Sequence, residues 1–212
     1  METLNIWTKI LINWATLIFF VGITVRLVRI LRYPYKKDIS QTKGDPKYGA
    51  FYALTFAMLP WKKESTKKHW LTYTAGMIMH VGVFAIILFA LARRLDFGVE
   101  FMINIIKWIG PLGLVFAFSL FVKRATLGYM KAISNFDDYF SNLLVDFYLL
   151  AGTLTAYNLE WLGLWRLAAI LLLIWIPFGK IFHMVLFFIS RVLFGLQFGR
   201  RGVIKHGPPI TY

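Results

Sequence analysis

The chain has 212 residues, of which 58% are hydrophobic and 18% aromatic, and it contains no cysteine. That much apolar surface excludes an ordinary soluble domain of this size. The lack of cysteine excludes a disulfide framework, cysteine-ligated iron–sulfur clusters, zinc–thiolate sites and covalently attached c-type haem. A formal net charge of +14 would suit nucleic acid, but the basic residues are separated by apolar runs long enough to cross a bilayer, so they read as topology signals.

A hydrocarbon core about 30 Å thick is crossed by roughly 20 mostly apolar helical residues. Five windows of that kind occur, at residues 10–31, 70–92, 101–122, 139–157 and 161–189. The first is expected to be retained as a span: it has full length, only Lys9 precedes it among basic residues, and no small-residue cleavage site follows. The joint from 32 to 68 carries Arg32, Lys36, Lys37, Lys43, Lys47, Lys62, Lys63, Lys67 and Lys68. The next joint has only Arg93 and Arg94; then come Lys123, Arg124 and Lys131, a joint with no basic residue, and finally Arg191, Arg200, Arg201 and Lys205. Assigned to alternate faces, with Lys9 on the poorer one, these stand sixteen against three. Basic loops stay cytoplasmic, which places the N-terminus outside and the C-terminus inside. The expected fold is an all-α integral membrane bundle of five transmembrane helices over residues 1–198, with an inner loop at 32–69 and an extended cytoplasmic tail at 199–212. Within the loop, 48–61 is aromatic, flanked by lysines and too short to span, which reads as an interfacial helix or re-entrant lip. Pro208 and Pro209 in the tail keep it extended and available to a partner.

Four histidines are present. His69, among Lys67, Lys68 and Trp70, and His206, in the tail, read as solvated. His80 and His183 fall inside apolar windows, where an ionisable group is costly and marks function by default. His80 lies ten residues past Trp70 and His183 eight before Arg191, depths of about 15 Å and about 12 Å from the inner face at 1.5 Å per residue. The two can therefore share a plane. Gly76 precedes His80 and Gly179 precedes His183 by four residues, one turn away on the same face of a helix, which leaves room for a flat macrocycle. Phe84 and Phe187 follow at the same spacing as apolar walls. This constellation suits bis-histidine haem b. The bland alternative is a pair of membrane histidines that only bond neighbouring helices. Zinc or non-haem iron would want three or more clustered ligands, and neither histidine has a carboxylate at suitable spacing.

Asp146, in the fourth window, is a candidate quinone contact or proton relay, or else a buried acid bonded to a neighbouring helix. Tyr148, Tyr73 and His69 are further polar candidates for a quinone. Arg166 is expected to snorkel or pair with Glu160. Lys123, Arg124, Lys180 and Arg191 lie near the inner ends of their windows, where haem propionates would want cations.

The run Pro177-Phe178-Gly179-Lys180-Ile181-Phe182-His183, with His80-Val81-Gly82 and Lys123-Arg124, resembles the membrane cytochrome b subunits of the respiratory nitrate reductase gamma type. Related membrane subunits of heterodisulfide reductase and of sulfite-reduction electron-transfer complexes share the pattern. The resemblance implies a b-type cytochrome in a prokaryotic cytoplasmic membrane, with His80 and His183 as axial ligands. It implies electron transfer between the quinone pool and a cytoplasmic iron–sulfur subunit. Two-haem members carry further histidines in the second and fifth spans, where this chain has Ala90 and Trp165, so the expectation is one haem, the inner one. The family places its quinone site by the outer haem, which leaves its position here open. The competing reading is a haem-free anchor or transporter subunit, although no internal repeat and no matched pair of broken helices point to transport.

Overall fold

The computed structural model describes residues 2–33, 38–62, 66 and 68–204. Lys36, Lys37, Lys63, Lys67, Lys205, His206, Pro208 and Pro209, named above, lie outside the described residues. All regular structure among the described residues is helical: α1 (Glu2–Leu31), α2 (Pro46–Leu54), α3 (Trp70–Leu95), α4 (Val99–Thr126), α5 (Gly128–Ile133), α6 (Phe136–Tyr157), α7 (Leu162–Trp175) and α8 (His183–Arg200), with short 3₁₀ turns between some of them. Four helical stretches among the described residues are long and apolar enough to cross a membrane, Thr3–Leu31, Trp70–Leu95, Val99–Thr126 and Lys180–Arg200. The chain is thus a multi-pass helical membrane protein by length and composition.

The window at 161–189 is not one helix. α7 stops at Trp175 and α8 starts at His183. Pro177 causes the break, since it lacks an N–H and its ring clashes with the carbonyl four residues earlier. The amides of Phe178 and Gly179 turn back to the Trp175 carbonyl at 3.0 and 2.9 Å. At 14 residues α7 is about 21 Å long, less than a bilayer core. α6 has length enough at 22 residues, but Asn142, Asp146, Ser141, Thr153 and Thr155 dilute its apolar character.

The chain divides into two compact units, Met1–Val28 with Leu71–Ile181, and Arg29–Trp70 with Phe182–Tyr212. In the first, α6 is the central element. It packs on α4 and α7 and buries Leu144, Tyr148, Leu149, Ala151 and Ala156 among others. Its start is set by a capping box, in which Asn135 and Asp138 each accept the other's backbone N–H, at 3.2 and 3.0 Å. Where α3 and α4 cross, a Cβ on Gly82 would stand 2.9 Å from the Gly113 Cα, so only small residues permit that approach.

In the second unit α2 packs along α8. Asp45 caps α2 by accepting the Lys47 amide at 2.8 Å, and Pro46 opens the helix. Gly49 of α2 faces the backbone of Gly195 and Gly199 of α8, with no space for a side chain on either. The preceding loop is fastened to the end of α8: the Lys43 and Gly44 amides donate to the Arg200 carbonyl at 2.8 and 3.2 Å. Arg200 Nη2 donates to the Ser40 carbonyl at 2.7 Å and Arg201 Nε to Asp38 Oδ2 at 2.9 Å. The Ser40 side chain and amide, then Arg201, hold the Asp38 carboxyl down to about 2. The segment 48–61 is helical, as α2 and two 3₁₀ turns, and it leaves Phe51, Phe56 and Trp61 exposed. α8 runs through Arg200, so the tail boundary expected at 198 falls inside a helix.

Candidate functional site

His80 sits in mid-α3 with its ring exposed. Its Nδ1 lies 2.6 Å from the Gly76 carbonyl oxygen. A carbonyl only accepts, so Nδ1 carries a proton, and in the neutral ring Nε2 holds the lone pair, a tautomer able to ligate a metal. A Cβ on Gly76 would meet nothing within 4 Å, so the helix surface one turn before His80 is open. Phe84, one turn on, stands 6.4 Å from the His80 ring, tilted by 40°. Donor chemistry and free space on α3 therefore fit an axial haem ligand.

His183 is the first residue of α8, belongs to the second unit and is also exposed. The surroundings of Gly179 differ from expectation. It lies in the turn after Pro177, so it shares no continuous helix with His183. The space its missing side chain would leave is filled by the Trp175 indole, which is fixed by a 3.0 Å hydrogen bond to Ser141 Oγ and an edge contact with Phe140 at 4.7 Å. No cradle for a macrocycle exists at Gly179. Phe187 meets Phe188 edge-on at 5.5 Å, and Arg191 lies over its ring at 5.4 Å.

Arg124 is engaged with the start of α6: its Nη1 donates to Ser134 Oγ at 3.0 Å and pairs with Asp138 at 3.3 Å. Lys123 donates to Thr72. Lys180 donates its amide to Asp137 at 2.9 Å and its Nζ to Asp138 at 2.5 Å. Burial pushes the Asp138 carboxyl up, but the Asn135 amide, Lys180 and Arg124 together outweigh it and hold the group below its ordinary range. Arg26 donates to the Pro177 and Gly179 carbonyls at 2.7 and 3.3 Å, satisfying groups that would cost several kcal/mol if bare in hydrocarbon. The cations expected to await propionates are thus partly spent on fastening the chain break. The capping residues at 135 and 138 were a readable signal of this cluster; Arg26 offered none.

Among the quinone candidates, Asp146 is buried and lines an apolar groove between α4 and α6. Tyr148 does not reach it; it is buried beside Trp165, with ring centroids 6.3 Å apart. His69 is exposed at the bend before α3. Arg166 donates to the Asn5 carbonyl at 3.3 Å, and Glu160 accepts from Asn158 at 3.1 Å, so the expected Arg166–Glu160 pair is replaced by these two contacts. Trp165, 4% exposed, stacks on Phe89 at 5.0 Å and 14°, while Ala90 is exposed. Among the described residues no group of three or more His, Cys, Asp or Glu side chains could hold a metal ion; a two-ligand axial site is not of that kind.

These features define a multi-pass helical membrane protein in which exposed His80 is bonded through Nδ1 to the Gly76 carbonyl. No protein-family model, no curated protein and no solved structure matches the chain.

Proposed function

We propose that the protein is a b-type cytochrome subunit of a prokaryotic cytoplasmic membrane. It relays electrons between the quinone pool and a cytoplasmic iron–sulfur partner. The observation that carries this is the His80–Gly76 hydrogen bond, which leaves Nε2 as the acceptor of the neutral ring within an apolar helix, one turn from open space at Gly76. His80 and His183 would hold one haem b, which would supply one-electron relay rather than bond chemistry. His80 is held in its ligating tautomer by the Gly76 carbonyl. Five crossings, the last interrupted at Pro177, run from an outer N-terminus to an inner C-terminus, in keeping with the sixteen-to-three basic asymmetry. With no cysteine of its own, the chain draws on a partner for clusters, and the basic inner loop suits an acidic rim on it.

The Trp175 indole against Gly179 favours a second reading, a haem-free anchor or transporter subunit. A reduced-minus-oxidised absorption spectrum of the purified protein separates the two. Low-spin b-type bands support the cytochrome; a featureless difference spectrum after haem-replete expression supports the anchor.

A further inference from the structure

The aromatic run at 48–61 has no part in the electron relay. Within its own unit it forms α2 and two 3₁₀ turns, and the neighbours of α2 fix its direction. Asp45 lies against Gly199 and Ala50 against Gly195, so α2 runs antiparallel to α8. Arg191 marks the inner end of its apolar run, and Gly195 and Gly199 lie four and eight residues past it, about 6 Å and about 12 Å outward at 1.5 Å per residue. α2 therefore starts clear of the membrane and descends along α8, so that Ala53, one turn past Gly49, reaches the level of Arg191. The side turned inward is small, with Gly49 and Ala53 buried. The other side and the turns that follow carry Phe51, Leu54, Phe56 and Trp61, all exposed, with Phe51 edge-on to Phe56 at 6.1 Å. Leu193 and Phe194, within a turn of Arg191 on α8, are exposed as well, so the apolar surface continues across both helices.

The charge around this patch has one sign. Lys47 precedes the rings, Lys62 closes them, and both are exposed. The described residues of this unit include nine Lys or Arg against two acids, and both acids are engaged: Asp38 with Arg201 at 2.9 Å, Asp45 with the cap of α2. These properties restrict what covers the face. The descent of α2 brings the rings to headgroup level, where aromatic side chains concentrate. A neutral lipid surface would take the rings and leave the lysines without counter-charge, whereas anionic headgroups answer both. We propose that α2 and the turns after it form an interfacial anchor that docks on anionic phospholipid of the inner leaflet, with Lys47, Lys62 and Arg191 on its phosphates. The inner loop is thereby divided: this stretch serves the lipid, and its other basic residues remain for a protein partner. The anchor goes beyond the cytochrome reading and needs no haem.

The chain has no cysteine, so single-cysteine variants can each carry one bimane label. Phe51→Cys, Phe56→Cys and, as a control at an exposed polar position, Thr42→Cys are placed as full-length chains in nanodiscs of mixed phosphatidylcholine and phosphatidylglycerol. One lipid or the other is dibrominated in its acyl chains. Quenching is expected at 51 and 56 and not at 42, and brominated phosphatidylglycerol should quench about threefold more than brominated phosphatidylcholine at equal mole fraction. In a chain carrying both Lys47→Glu and Lys62→Glu the preference should fall to parity while the quenching persists. If that double variant does not fold, raised salt replaces it, since salt screens exposed charges and should shrink the preference. Labels at 51 and 56 that neither lipid quenches would leave water or a protein as the cover and overturn the proposal. Equal quenching by the two lipids, or a preference that neither charge reversal nor salt changes, would overturn it too. The readout does not use haem: haem-free protein leaves the anchor standing, and unquenched labels leave the cytochrome reading standing.

Discussion

Gly76 with His80 and Gly179 with His183 have the same spacing and glycine, yet the chain does different things with them. In the first pair a continuous helix stacks the glycine carbonyl under the imidazole and leaves space beside it. In the second, Pro177 breaks the helix, the glycine falls in a turn, and Trp175 takes the space. A four-residue interval reports a shared face only while the helix continues through it. At Gly76 the backbone carbonyl bonds the imidazole, whereas the missing side chain of Gly179 makes room for Trp175 at the break.

The sharpest way to break this comparison is to remove each imidazole. His80→Ala and His183→Ala should each abolish low-spin haem while leaving the far-ultraviolet helical signal intact. A normal spectrum in either variant would remove that residue from the ligand set. The glycines come next and should separate. Gly76→Leu should cut haem occupancy severely by filling the open space, with unfolding free energy within about 0.5 kcal/mol of the parent, as for a surface change that displaces nothing. Gly179→Ala should do the reverse, losing about 1–3 kcal/mol in a denaturant titration because the Trp175 indole must move. Equal behaviour of the two variants would show that the local difference has no consequence.

A smaller effect is expected at the cluster fastening the break. Asp138→Asn weakens contacts to Lys180 and Arg124 that are partly exposed, so about 1 kcal/mol of stability should be lost, and the loss should not add to that of Lys180→Met. Strict additivity of the two would mean that they do not act together. The smallest effect is at Asp38. Its folded value of about 2 lies below the ordinary carboxylate value of about 3.9. The stabilisation it brings is therefore complete above about pH 4 and lost as pH falls toward 2. Asp38→Asn should flatten the acid limb of a melting curve between those limits. An unchanged limb would show that the latch to Arg201 contributes nothing.

The sequence makes α1, α3 and α4 legible because their apolar runs end near charged residues, and hydropathy is sensitive to little else. It hides the break at Pro177, since proline inside an apolar run barely alters hydropathy while it stops a helix outright. Asn135 and Asp138 carry a capping signature that survives in local sequence. By contrast, Asp38 and Arg201, or Gly49 with Gly195 and Gly199, meet only through the fold. Asp146 stands out in sequence as an acid in an apolar helix; that Tyr148 beside it turns into the core while Asp146 lines a groove depends on how α6 is rotated against α4 and α7.

The proposed cytochrome function requires that His80 and His183 hold one haem b. Its most direct test is a pyridine haemochrome assay on the protein purified from haem-replete cells, read against chain concentration. Close to one b-type haem per chain is expected. Haem-free protein would contradict it outright, and close to two haems would require ligands beyond these two histidines.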